Sequence, residues 1–448
     1  MTLSASNPPE IHATGPVPLS PFEDLLCRLH DAFEGDGMCA VVARVRGRVE
    51  ESPLRAALRR LQLRHPKLRA RLTLSKSGRR QFETAADPRP IPLDIKDFGE
   101  GPIPWQTEAW RALCLKMDLA AGPLARMLVL RSAPLGLCDL VFVAPHAVVD
   151  GASVYRVVDD LLGFYGEAER GGPSGPVVSL PLVSAPRANL RGNWLQRLAL
   201  LARMAGQFGA HGRGNWITLP TAPQAAPGSF MDRHVIPAAE TSALVRRCYE
   251  EGTTLLGAHF AAAVCGLAEV VEEERTLRIQ YRIPVDIRSA LAGPTGPVTD
   301  QDLGCFIGGY LRMAVIERPP LFWELARRVR KDLKTYAAAG GPEMIYNLLK
   351  FVRVSSFRKR LKRDTLVVNC IGFAKVRDRY GSLGLEECTA LAKNEFLGPS
   401  LSVEGVAING RLCVNVGAGG VPVEFWKRFS DAVARQIRAA TGQPATGT

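Results

Sequence analysis

Long apolar runs are missing from this 448-residue chain; Arg or Pro breaks every candidate, so no membrane-spanning segment is expected. Paired cysteines are missing as well. The ten Cys stand singly with no C-x-x-C, which argues against a zinc ribbon or a disulfide framework. They read as reduced, small hydrophobic side chains of a cytoplasmic protein. There is no G-x-S-x-G elbow, P-loop, H-E-x-x-H or dinucleotide glycine fingerprint. Nucleophilic serine chemistry, metal hydrolysis and nucleotide binding therefore lack their usual signals. No metal and no permanently bound cofactor are expected. The opening MTLSASNPPEIHATGPVP has no apolar stretch to act as a signal peptide, and residues 1–17 read as a flexible lead-in.

What is present is ordinary for a soluble globular protein, with 46% hydrophobic and 23% charged residues. The length suits two domains better than one. Net charge is +13, from an excess of Arg, and the densest basic run is KFVRVSSFRKRLKRD at 350–364. Only two Phe interleave it and no nucleic-acid-binding motif surrounds it, so a nucleic-acid partner is not expected. A coenzyme diphosphate or an acidic carrier protein suits the same charge.

Along the chain, helices and strands alternate. Ser20-Pro21 starts a helix by placing a cap residue before Pro at the first helical position. Ser52-Pro53 reads as the start of a second, and Pro66 breaks the chain within RHPKLRARL (64–72). DLVFVA (139–144) is a short apolar strand. Beyond Gly151, the residues Val154, Val157, Val158, Leu161, Leu162 and Tyr165 recur at helical spacing and predict an amphipathic helix. The Pro/Gly/Ser stretch 171–193 marks a boundary, giving an N-terminal lobe at 18–180, a linker with a helix at 181–225 and a C-terminal lobe at 226–448. In that linker, Trp194, Leu195, Leu198 and Leu201 form an apolar stripe that packs by default but also suits peripheral contact with a membrane surface. Asn409-Gly410 predicts a tight hairpin within VAINGRLCVNV.

One stretch carries chemistry. VFVAPHAVVDGAS (141–153) ends an apolar strand on His146, with Asp150 and Gly151 four and five residues later. Histidine, with an unperturbed pKa of ~6.5, accepts protons near neutrality. At a strand end it is rigidly positioned to activate an alcohol or amine against an acyl thioester and then to protonate the departing sulfur. Asp150 suits either the cap of the following helix or a partner for a distant Arg. Gly151 leaves room for close backbone approach or simply permits the turn. Among the other histidines, His12 falls in the lead-in, His211 in a Gly-rich loop and His65 at the helix break, while His30 and His259 read as packing residues.

These residues resemble the HHxxxDG motif of the chloramphenicol acetyltransferase-like superfamily of coenzyme-A-dependent acyltransferases, which includes the condensation domains of nonribosomal peptide synthesis. LSPFEDLLCRL (19–29), RHPKLRARL (64–72) and MDLAAGPLARMLVL (117–130) resemble further motifs of that superfamily in order and spacing. So do YRIPVDIRSAL (281–291) and DLGCFIGGYLRMAV (302–315). The likeness covers most of residues 18–440, and only the His motif is individually specific. It implies an α/β (α+β) pseudo-dimer of two lobes with a tunnel between them. It implies that His146 is the catalytic base, Asp150 and Gly151 support it, and Arg288 pairs with Asp150. Pro145 stands where the motif has its first His. Motifs of modular condensation domains and plant-type acyltransferases are lacking, so the chain looks closest to polyketide-associated O-acyltransferases of the phthiocerol/phthiodiolone dimycocerosyl transferase type.

The resulting expectation is a stand-alone monomeric acyltransferase moving an acyl group from coenzyme A or an acyl carrier protein to a hydroxyl. Two rivals remain at this point: amide formation with an amine acceptor, and a catalytically silent module that binds a carrier protein.

Overall fold

The computed structural model describes residues 15–85, 87–172, 175–185, 187–211, 217–221, 229–271, 276–293, 296–355, 366–393 and 400–442. His12 lies outside them, as do Arg358, Lys359, Arg360, Lys362 and Arg363 of the basic run. Two six-stranded sheets organise the chain. The first runs in the order Arg379–Tyr380, Leu383–Lys393, Met38–Arg46, Leu137–Pro145, Arg126–Ser132, Leu93–Phe98. The second runs Ile307–Glu317, Thr276–Asp286, Leu366–Phe373, Ser400–Ile408, Arg411–Gly419, Ser229–Ile236. Helices pack against both, so each lobe is a mixed α/β layer structure.

Local sequence explains much of this. Ser20 Oγ accepts from the Glu23 backbone while the Glu23 carboxylate accepts from the Ser20 backbone, a reciprocal capping box on the helix Pro21–Ala32. The helix Gly151–Glu169 buries Val154, Val157, Val158, Leu161, Leu162 and Tyr165, the six positions its periodicity named. Each such side chain contributes ~1.5–3 kcal/mol of transfer free energy. The 406–416 hairpin turns where expected, with Asn409 at φ 51° and Gly410 at φ 76°. His30 is buried with its two ring nitrogens each 3.0 Å from a carbonyl, those of Asp36 and Met117.

Five expectations need correction. The second helix begins at Glu51, ahead of Ser52-Pro53, and carries no side-chain cap. The lobes are not continuous in sequence, because Leu383–Lys393 crosses over and pairs antiparallel with Met38–Arg46 in the first sheet. Part of the expected linker is core: Leu182, Val183, Ala185 and Ala188 are buried, the last three packing with Ile287, Phe306 and Tyr346. The apolar residues within the Pro-rich stretch are what pull it inward. His211 ends the helix Trp194–His211 rather than sitting in a loop.

That helix turns its stripe outward, with Trp194 69% and Leu198 57% exposed, against the packing expectation. Leu200 is buried and, with Gln196, borders a cavity of about 700 Å³ that Leu311, Met313, Tyr336 and Ile345 also line, away from His146. No single described helix is long and apolar enough to cross a membrane.

Glycine is required where elements touch. A Cβ on Gly308 would stand 2.4 Å from the Pro342 carbonyl oxygen, where the helix Gly341–Leu348 crosses the strand. Backbone on both sides leaves nothing flexible to yield. Gly308→Ala is expected to cost ~1–3 kcal/mol as overpacking, read as a lower denaturant midpoint with unchanged m.

Candidate active site

His146 follows directly on the strand Leu137–Pro145, and its N–H donates to the Gly37 carbonyl at 2.8 Å. Val148 and Val149 donate back to the Pro145 carbonyl, closing a tight turn that leads into the helix at Gly151. The imidazole is half-buried, with Nδ1 3.6 Å from the Cys305 sulfur contributed by the other half of the chain. Burial holds the ring below its ordinary pKa, opposed by its hydrogen bond to its own backbone, the charge of Asp150 and a bond to the Val149 backbone. The free ring is thus neutral at physiological pH. Burial also pushes the Cys305 thiol well above its ordinary value, so it stays a thiol.

Asp150 meets both roles that its sequence position left open. It is the N-cap, its Oδ1 accepting from the Ser153 N–H and Oγ–H, each at 2.9 Å. The same Oδ1 accepts from Arg288 Nη2 at 2.8 Å, and Oδ2 accepts from the Phe306 N–H at 3.0 Å. Burial pushes this carboxyl up, but the charge and hydrogen bond of Arg288 and the backbone donors outweigh it and hold the pKa below the usual carboxylate value. Burial draws Arg288 down while Asp150 and Asp286 push it up, and the guanidinium ends above its ordinary value. Arg288 also stacks over the Phe306 ring at 5.0 Å and bonds Asp286 at 2.9 Å. Both oxygens of Asp150 are therefore engaged in structure, and together they fix the His146 turn to the second lobe.

Gly151 has a reason too. A Cβ there would lie 3.0 Å from Ile371 and 3.5 Å from the Asn369 amide, both on the facing strand Leu366–Phe373. His146, Asp150, Gly151 and Arg288 are thus one constellation at the junction of the lobes. Two other histidines, neither expected at the site, lie elsewhere: His65 bonds Asp160 at 2.8 Å, and His259 bonds the Leu255 carbonyl inside its own helix.

Sequence reasoning missed Cys305 beside His146 and Asn369 beside Gly151, and it missed the direction in which Glu404 faces. Glu404 lies within LSVEGVAI, where an acid between apolar residues reads as a solvent-facing position of a strand. Only the sheet order shows that its face looks inward. Among the described residues, no cluster of His, Cys, Asp or Glu could hold a metal ion.

Residues 38–178 match the condensation-domain family, and 227–373 match the phthiocerol/phthiodiolone dimycocerosyl transferase C-terminus family. Chondramide synthase of Chondromyces crocatus is 26% identical over 164 residues, which is 36% of this chain and 4% of that protein. A linear gramicidin synthase of Brevibacillus parabrevis is 29% identical over 250 residues, 54% of this chain and 3% of that one. The chain thus matches only a small part of each relative's length.

Among solved structures, polyketide synthase associated protein 5 from Mycobacterium tuberculosis superposes with a TM-score of 0.67 at 19% identity, over 95% of this chain and 98% of its own. Trichothecene 15-O-acetyltransferase from Fusarium sporotrichioides gives 0.72 at 10% identity, over 98% and 100%. The first condensation domain of the calcium-dependent antibiotic synthetase gives 0.69 at 14%, over 97% and 98%. At these identities the likeness establishes the two-lobed fold.

Proposed function

We propose that the chain is an acyltransferase of the chloramphenicol acetyltransferase-like, condensation-domain superfamily, a reading supported by the two family models that residues 38–178 and 227–373 match. It takes an acyl group from a coenzyme A or acyl-carrier-protein thioester and passes it to a hydroxyl, forming an ester. The observation that carries this reading is the neutral, half-buried His146 at a strand end, on a turn locked by the Asp150–Arg288 pair. Such a site supplies a positioned base and lacks an activated nucleophile of its own.

With Nδ1 turned to Cys305, Nε2 is the nitrogen left for the acceptor. Nε2 takes the hydroxyl proton as the oxygen attacks the thioester carbonyl carbon. The tetrahedral intermediate then expels sulfur, and the imidazolium returns the proton to it. The products are an ester and a free thiol, and His146 ends neutral. The enzyme passes through no covalent intermediate. Pro145, in place of the motif's first His, pairs in register with Met38 and extends the strand to the catalytic residue.

The reading is tested by thiol release from a panel of acyl thioesters with and without an added alcohol. Release that does not depend on any acceptor would sink it. A pH profile adds a second check. Burial disfavours the imidazolium, so the neutral base persists to lower pH than in free histidine. The acid limb of kcat/KM is expected to fall below pH ~6.5, the ordinary histidine value, and a limb above it would contradict the burial account.

A further inference from the structure

Glu404 sits in the middle of the strand Ser400–Ile408, in register with Asn369 on one neighbouring strand and Asn415 on the other. Asn415 is in turn in register with Arg233. Residues opposite one another in a sheet share a face, so Arg233, Asn415, Glu404 and Asn369 form a polar row across the second lobe. The row faces the first lobe. At one end, Arg233 bonds Glu387 at 2.6 Å and Thr389 at 3.0 Å on the crossover strand. At the other, Asn369 stands against Gly151 of the His motif. Between them, the Glu404 charge is felt by Cys39 and Tyr155 of the first lobe, and Cys39 also feels Asp150. The opposite face is closed, since Gly405 lies directly under His259 of the buried helix.

Two acceptors of this row have no partner among the described residues. Arg233 is paired with Glu387, Arg288 with Asp150, and Lys67 with Glu23. Glu404 makes no hydrogen bond or ion pair with any described residue, and the buried Asn415 Oδ1 has no partner either. Both groups are acceptors. Burial alone lifts the carboxyl to about 7, as expected of an acid with no cation beside it. What such a pair lacks is a donor bearing positive charge, and an ammonium offers three N–H donors.

We propose that Glu404 and Asn415 form the acceptor subsite of this acyltransferase and that its acceptor carries a basic nitrogen beside the hydroxyl that is acylated. The inference rests on the ester-forming reading above and specifies its substrate class as an amino alcohol. Pairing with Glu404 keeps the nitrogen protonated and therefore non-nucleophilic. The hydroxyl is left as the group whose proton His146 removes, so the same contact that binds the acceptor directs the acyl group to oxygen.

Three acceptors with one carbon skeleton test this: 2-amino-1-octanol, 1,2-octanediol and 1-octanol, each offered with the same acyl thioester and followed by mass spectrometry. Wild type is expected to favour the amino alcohol by roughly tenfold to a hundredfold in kcat/KM, the size of a hydrogen bond to a charged group, and to yield the ester. Glu404→Gln should bring that ratio close to one, chiefly by raising the KM of the amino alcohol while leaving the KM of the thioester donor unchanged. Glu404→Asp should restore part of it. Equal use of the three acceptors by wild type overturns the inference and leaves the ester-forming reading standing. So does an undiminished preference in Glu404→Gln, or a dominant amide product from the amino alcohol while 1,2-octanediol and 1-octanol still give ester. Absence of ester from all three acceptors, across the thioester panel, overturns both.

Discussion

Replacing His146 with Ala is expected to lower acyl transfer by on the order of 10²–10⁴-fold, the usual contribution of a positioned general base, while leaving the protein folded. The loss follows from geometry. The ring is held at the strand end by the Gly37–His146 backbone bond and the Pro145 turn, neither of which involves the side chain. Removing the imidazole therefore deletes the proton acceptor and leaves the turn intact. The Asp150 network remains satisfied as well, because none of its hydrogen bonds runs through the ring. Unfolding midpoints of wild type and variant should agree closely, with the rate loss in kcat rather than in the donor KM. A catalytically silent, carrier-binding module would show no such loss. Comparable turnover in the two proteins would remove His146 from the chemistry.

Arg288→Ala is expected to produce the largest loss of stability of any single change near the site. Its partner Asp150 has no exposed side-chain surface, and Arg288 itself is only 8% exposed. Solvent therefore screens this pair little. Removing the guanidinium leaves a buried carboxylate without its counter-charge, a change that typically costs ~3–5 kcal/mol. The native structure answers by protonating Asp150. That sets a pH signature: the Asp150 pKa is depressed in the folded state, so its contribution is present above the ordinary carboxylate value and lost as pH falls through the lower, folded one. Arg288→Ala should remove this acid-side dependence as well as lower the midpoint. A double variant, Asp150→Asn with Arg288→Met, should lose less than the sum of the single losses because neither charge is stranded. Additive losses would show that the two residues act independently.

The features legible in the sequence are those set by near neighbours or carried by the resemblance. The helix start at Ser20-Pro21, the periodic face from Val154 to Tyr165, and the Asn409-Gly410 turn each depend on residues a few positions apart. Resemblance paired Arg288 with Asp150 across 138 residues, where spacing offered no signal. The crossover strand was invisible for the opposite reason. Its partners in Met38–Arg46 lie hundreds of residues away, and LGLEECTALAK alternates too weakly to say which sheet it joins. Glu404 escaped because a strand's polar residues point to water unless a second layer covers them. The outward stripe of Trp194 and Leu198 escaped likewise, since periodicity shows that a face exists and not which way it turns.

Ester formation from acyl thioesters with His146 as the base has a direct chemical readout. Mass spectrometry of the products tests it most directly, using a panel of acyl thioesters, each offered an alcohol and an amine, with wild type and His146→Ala side by side. Wild type is expected to give ester and free thiol, and the variant at most about one hundredth as much. Amide as the sole product, or equal ester from both proteins, would contradict it.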